Sequence, residues 1–189
     1  LMIEGDSKEY ELLTKWAKNF DCQGYKSCEI GVRQGLGSMV IMNSVKNNYM
    51  HVGVDPYANL KYQHYDTTEP LEFDYTDQMR DTLLNDLYKY RNEGLFTLAN
   101  MTDTEFMDHP DHKNSKYSFV HFDGPHMTKD VLTEAIWFAN RCAPDTRFVF
   151  DDYPYYDMPL IEKCLNYFNF KIVAKGQSKI CLSNIHKEL

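Results

Sequence analysis

The sequence has no Cys-x-x-Cys pair, no basic excess, no long apolar run and no internal repeat, and each absence narrows what the chain can be. Its cysteines, Cys22, Cys28, Cys142, Cys164 and Cys181, are odd in number and widely spaced. That argues against a disulfide framework or a zinc knuckle and fits a reducing compartment, so a cytoplasmic location is expected. Lys and Arg number 20 against 28 Asp and Glu, a formal charge of -8. Such a surface repels phosphate backbones, and nucleic acid is not expected as a partner. No segment approaches the roughly 20 apolar residues of a membrane span, so no membrane partner is expected either. The first residues are acidic and amphipathic rather than leader-like. The final His186-Lys187-Glu188-Leu189 faintly matches an endoplasmic-reticulum retention signal and, without a secretory leader, reads as chance.

What is present is an alternation. A chain of 189 residues fits one domain, 1–189. Residues 7–20 place Tyr10, Leu13, Trp16 and Phe20 on one helical face, a leading helix within 1–24. Strands are predicted at 26–31, 50–55, 95–99, 117–123, 146–151, 170–174 and 178–183, with helices at 36–48, 77–93, 128–141 and 158–168. This order implies an α/β fold, Rossmann-like and doubly wound: a mostly parallel seven-stranded sheet with an antiparallel C-terminal edge hairpin. Residues 57–76 lack periodicity and carry Tyr57, Tyr62, His64, Tyr65, Phe73 and Tyr75. A segment of that kind reads as a lid over an acceptor or as a surface insertion.

Ligands on such sheets sit beyond the carboxyl ends of the strands, where the pattern puts Asp55, Asp123 and Asp151. The first turn, Glu29-Ile30-Gly31-Val32-Arg33-Gln34-Gly35-Leu36-Gly37-Ser38, brings glycines to the strand-to-helix handover. It is not the GxGxxG of dinucleotide sites. Asp55, 24 residues after Gly31, suits two-pronged acceptance from ribose hydroxyls. Phe122-Asp123-Gly124 and Phe150-Asp151-Asp152-Tyr153 each end an apolar run on acid. Carboxylates converging from adjacent strands repel unless a cation joins them, and oxygen-rich sites suit magnesium, calcium or manganese. The bland alternative is that these acids end strands or cap helices in water. His126, three residues past Asp123, is placed to take a proton or to serve as an ordinary helix-start side chain.

These motifs resemble the class I S-adenosylmethionine-dependent methyltransferases. CEIGVRQGLGS is similar to their first motif and HVGVDPY to their second strand; FVHFDGPHMTKDV and FVFDDY narrow the resemblance to the metal-dependent, macrocin O-methyltransferase-like sugar enzymes. The likeness covers about residues 26–155. It implies an O-methyltransferase acting on a hydroxyl of a small molecule, a sugar or glycan-like acceptor, with a divalent cation, Mg2+ in the first instance. It implies that Glu29, Gly31, Gly35 and Ser38 surround the methionine part of the cofactor, that Asp55 holds ribose, and that Asn100-Met101-Thr102 flanks adenine. A glycine and a serine are commoner there than Asn100 and Thr102, and Met101 has an alternative as a core side chain. Asp123, Asp151 and Asp152 would ligate the metal, with Asp123 and His126 at the chemistry. Pro125 stands where the sugar enzymes often carry a further acid, which leaves His126 and the metal-bound hydroxyl as candidate bases. Three other readings compete with this one: a methyltransferase-like cofactor-binding subunit without activity; a nicotinamide-dependent oxidoreductase, which fits the fold but lacks its fingerprint; and a metal-dependent phosphohydrolase using Asp123, Asp151 and Asp152, which would leave the glycine turn and Asp55 without a purpose. The sequence leaves the acceptor unnamed and leaves room for a homo-oligomer.

Overall fold

Apolar runs bounded by glycine, proline and aspartate become the strands of one sheet. The computed structural model describes residues 3, 5–58 and 60–185; the C-terminal tetrapeptide 186–189 lies outside them. In chain order the elements are α1 (Tyr10–Ala17), β1 (Lys26–Ile30), α2 (Leu36–Ser44), β2 (His51–Val54), β3 (Leu60–Tyr62), β4 (Leu71–Phe73), α3 (Asp77–Asp86), α4 (Tyr88–Asn92) and β5 (Phe96–Ala99). They continue with α5 (Asp103–Asp108), α6 (Pro110–Lys113), β6 (Tyr117–Phe122), α7 (Thr128–Ala139), β7 (Cys142–Phe150), α8 (Met158–Leu165), β8 (Lys171–Lys175) and β9 (Ile180–Ser183).

Seven strands form the main sheet in the order β5-β2-β1-β6-β7-β9-β8. The first five are parallel, and β9 runs antiparallel to both β7 and β8. The expected hairpin therefore closes this end of the sheet, with β9 inserted beside β7 and β8 at the rim. The chain winds outward from β1 through β2 to β5, then returns to build β6 and β7 on the other side. The reversal between β1 and β6 opens a crevice at their carboxyl ends.

Alternation along the strands separates two apolar layers. Val120, Phe122, Phe148 and Phe150 pack with α5, α7 and α8, and the Phe122 and Phe150 rings stack at 4.4 Å. Phe119 and Val149 face the other way, against Leu13, Trp16 and Ile41 of α1 and α2. No helix among the described residues is long and apolar enough to cross a membrane.

The differences from the sequence pattern are local. The predicted helix over 77–93 breaks at Leu87 into α3 and α4. The segment 100–116, for which the pattern predicts no element, holds α5, opened by a Thr102–Glu105 capping box, and α6, opened by Pro110. Residues 57–76 contain a two-stranded hairpin, pairing Leu60 with Phe73 and Tyr62 with Leu71. Its strands are three residues long, too short to show a period, and are held by Tyr62 stacking on Phe73 at 4.3 Å.

Candidate active site

Strand register carries the site-forming residues to one level. Beyond the last paired residues the backbone ladder continues: Gly31 N–H donates to Val54 O at 2.9 Å, Asp55 N–H to Ala99 O at 3.2 Å, Asp123 N–H to Ile30 O at 2.9 Å and Asp151 N–H to Phe122 O at 2.9 Å. Gly31, Asp55, Asp123 and Asp151 thus stand abreast at the mouth of the crevice. Gly31 adopts φ +82°, and a side-chain carbon there would collide with the Asp123 carbonyl. Only glycine allows this approach of the two strand ends. Above them lies a cavity of about 680 Å³, within the range of small-molecule sites.

Asp55 is buried and braces the glycine turn. Its Oδ2 accepts from Val32 N–H (3.0 Å) and Arg33 N–H (2.9 Å), and its Oδ1 from Tyr57 N–H (3.0 Å). Burial raises its pKa, and these three donors oppose the rise. Glu29, also buried, accepts from the Ser38 hydroxyl at 2.5 Å and pairs with His121 Nδ1 at 2.8 Å. Thr102 lines the cavity from the start of α5.

The floor is acidic. Asp123 is pushed well above the usual carboxylate range by burial and by the neighbouring Asp151. Burial would raise Asp151 too, but the hydrogen bond shared with Asp123 and the ammonium of Lys179 hold it below its ordinary value. Lys179 Nζ lies 2.6 Å from Asp151 Oδ1, and the lysine is fully buried. Asp152 follows in the left-handed region, φ 49°, the bend that lets two successive acids face one cavity. Its Oδ2 accepts from the Tyr65 hydroxyl at 3.0 Å.

The loop between β3 and β4 closes the other side. His126 N–H donates to His64 O at 2.8 Å, and His126 Nδ1 meets His64 Nε2 at 3.0 Å. Asp66 accepts from Thr128 N–H at 3.1 Å. His126 Nε2 is buried, has no hydrogen-bond partner and stands 4.0 Å from Asp123 Oδ1. Burial first, and His64 second, push the His126 pKa down to about 3. The imidazole is therefore neutral, with one ring nitrogen left as an acceptor.

A family model described as a methyltransferase domain matches residues 28–153, two thirds of the chain. The chain belongs to this methyltransferase family. No curated protein matches it at the sequence level. Among solved structures, the O-methyltransferase from Bacillus cereus in complex with SAH is similar over 97% of this chain and 83% of its own, with TM-score 0.56 and 9% identity. The O-methyltransferase TomG from Streptomyces achromogenes, involved in tomaymycin synthesis and solved with SAM, is similar over 96% and 81%, with TM-score 0.55 and 11% identity. Magnesium protoporphyrin IX methyltransferase from Synechocystis, with bound SAM, covers 95% and 85%, with TM-score 0.54 and 12% identity. At these identities the likeness is one of fold.

Within this methyltransferase the cavity is lined by Glu29, Gly31, Asp55, Thr102, Asp123, His126, Asp151 and Asp152 of the residues singled out from sequence. Three others stand elsewhere. Ser38 lies behind Glu29, hydrogen-bonded to it and 3.0 Å from His51 Nε2. Gly35 caps α2 at φ 91°, against Leu83. Met101 packs on the core, the alternative open for it from sequence. Tyr57, expected in the acceptor wall, is buried and donates its hydroxyl to the Arg33 carbonyl, whereas Tyr62, His64, Tyr65, Phe73 and Tyr75 do line the cavity. Lys179 and Ser7 lie outside the motifs quoted from sequence, and His121 sits inside FVHFDGPHMTKDV without being singled out there. A lysine at the head of the apolar last strand is the one hint the sequence offers.

The residues fit an adenosine cofactor with a cationic sulfur: the cavity has the volume, and Glu29 and Asp55 give it carboxyl groups. They do not fit a divalent cation held by Asp123, Asp151 and Asp152. Asp151 is engaged by the Lys179 ammonium and the Ser7 hydroxyl, and Asp152 accepts from Tyr65. Among the described residues, the ligand atoms that do gather within 4.8 Å of one another belong to Glu29, His121 and Asp123. Glu29 and His121 are already bonded to each other.

Proposed function

We propose that this methyltransferase uses S-adenosylmethionine to methylate a hydroxyl of a small acceptor, a sugar or glycan-like molecule, with His126 as the proton acceptor. The observation that supports this reading most directly is the level row of Gly31, Asp55, Asp123 and Asp151 at one crevice. Glu29, Gly31, Asp55 and Thr102 form the cofactor half. Asp55 fixes the turn, and a carboxylate with three of about four acceptor positions filled keeps capacity for a ribose hydroxyl.

When bound, S-adenosylmethionine supplies a methyl carbon whose bonding electrons return to sulfur as an oxygen attacks from the opposite side. The chain's own residues handle the proton and the geometry. In the tautomer that donates Nδ1–H to His64 Nε2, His126 Nε2 is open to the acceptor's hydroxyl proton, and Asp123 Oδ1, 4.0 Å away, faces the imidazolium that forms. Tyr62, Tyr65, Phe73 and Tyr75 offer ring faces to a sugar from the hairpin side of the cavity. The metal assistance implied by resemblance enters no step here, because the carboxylates that would hold it are otherwise engaged.

The test is incubation with S-adenosylmethionine against sugars and phenols, following release of S-adenosylhomocysteine, beside a thermal-shift comparison with nicotinamide dinucleotides. Turnover on sugars with selective stabilisation by S-adenosylmethionine is expected. Stabilisation by a nicotinamide dinucleotide instead would end this reading, and binding without turnover on any acceptor would favour a non-catalytic subunit.

A further inference from the structure

Long charged side chains are almost never fully buried unless paired. Lys179 is 0% exposed, and all three of its N–H donors are engaged: Asp151 Oδ1 at 2.6 Å, Ser7 Oγ at 2.5 Å and His121 Nε2 at 3.3 Å. Ser7 closes the ring by donating to Asp151 Oδ2 at 2.6 Å. Because an ammonium only donates, His121 Nε2 must accept. Its Nδ1 then carries the proton that meets Glu29 Oε1. One cation is thereby tied to both halves of the site: to the acidic floor through Asp151 and to the cofactor side through His121 and Glu29.

The lysine is held there by its neighbours. The Glu9 carboxylate accepts from the N–H groups of Gln177, Ser178 and Lys179 at 2.9, 2.8 and 2.9 Å, clamping the turn before β9. The Tyr10 ring lies 5.6 Å from Nζ. A divalent ion on Asp151 would have to share its ligand with a buried positive charge a few ångströms away, which water cannot screen.

We propose that Lys179 is the resident cation of this site, a positioning residue whose ammonium takes the place of a divalent metal at Asp151. It fixes Asp151 at the crevice mouth, on the side where the acceptor oxygen must lie. Its consequence for turnover rests on the methyl-transfer reading; its consequence for metal binding does not.

The experiment combines Mn2+ electron paramagnetic resonance with thermal unfolding and turnover, on wild type and Lys179→Met. For wild type the free Mn2+ signal stays undiminished, unfolding is the same with Mn2+ or chelator, and S-adenosylhomocysteine release is equal in chelator and in Mg2+. Lys179→Met removes the ammonium, and that variant gains Mn2+ binding with a raised unfolding midpoint. Stoichiometric Mn2+ binding by wild type, or loss of its turnover in chelator, overturns the proposal. So does a folded Lys179→Met that binds no Mn2+. If that variant does not fold, the wild-type spectrum decides alone. Calorimetry with S-adenosylmethionine is run alongside: absence of binding there defeats the methyl-transfer reading while leaving the Mn2+ result to judge Lys179.

Discussion

Acidification tests the floor of the site through His51. The imidazole is fully buried, hydrogen-bonded to Ser27 Oγ at 2.8 Å and Ser38 Oγ at 3.0 Å, and Ser38 in turn holds Glu29. Burial pushes its pKa from 6.5 down to about 4, against the pull of Glu29. The unfolded chain therefore binds a proton below about pH 6.5 that the folded protein refuses until about pH 4. Stability from the neutral ring is fully present above pH 6.5 and is lost as pH falls toward 4. A shift of this size is worth about 3 kcal/mol in full, and about 2 kcal/mol of it is gone at pH 5. His51→Gln has no such proton to refuse. Urea unfolding of both proteins at pH 7.5 and pH 5 measures the difference. Wild type should lose about 2 kcal/mol more than the variant, an extra fall in melting temperature of about 4–8 °C for a domain of this size. Equal losses in the two proteins would show that His51 is not held neutral by burial, and the account of the Ser38–Glu29 support beneath the cavity would fail with it.

Three further outcomes are expected. His126→Ala should lower kcat by about 10²- to 10⁴-fold while leaving S-adenosylmethionine affinity by calorimetry near wild type; His64→Phe should lower kcat less, with part of the loss restored in His64→Gln, which can still accept from Nδ1. Asp123→Ala, which removes the group 4.0 Å from His126 Nε2, should lower kcat and leave cofactor binding nearly intact, since the Asp55 brace is separate. Gly31→Ala should cost at least about 1–2 kcal/mol from its left-handed backbone alone, and the collision with the Asp123 carbonyl should eliminate cofactor binding in the same titration.

Much of this protein could be read locally. Apolar runs such as Tyr117–Phe122 and the helical stripe of α7 are period signals within a dozen residues, and they suffice for an α/β doubly wound sheet. The same runs end on Gly31, Asp55, Asp123 and Asp151, so their placement at strand ends followed from pattern alone. The direction each side chain takes did not. Ser38 faces Glu29 and Met101 the core, although both sit in the right motifs, because rotamer and packing decide what a motif position touches. The β3–β4 hairpin, made of three-residue strands, is shorter than any detectable period. Lys179 is furthest from legibility: it stands 28 residues from Asp151, 58 from His121 and 172 from Ser7. Only the antiparallel insertion of β9 beside β7 brings it under the acidic floor. Local sequence determines which elements form and where they end, since those depend on neighbouring residues; which cation meets the carboxylates depends on contacts across the whole chain, and the tertiary fold alone decides that.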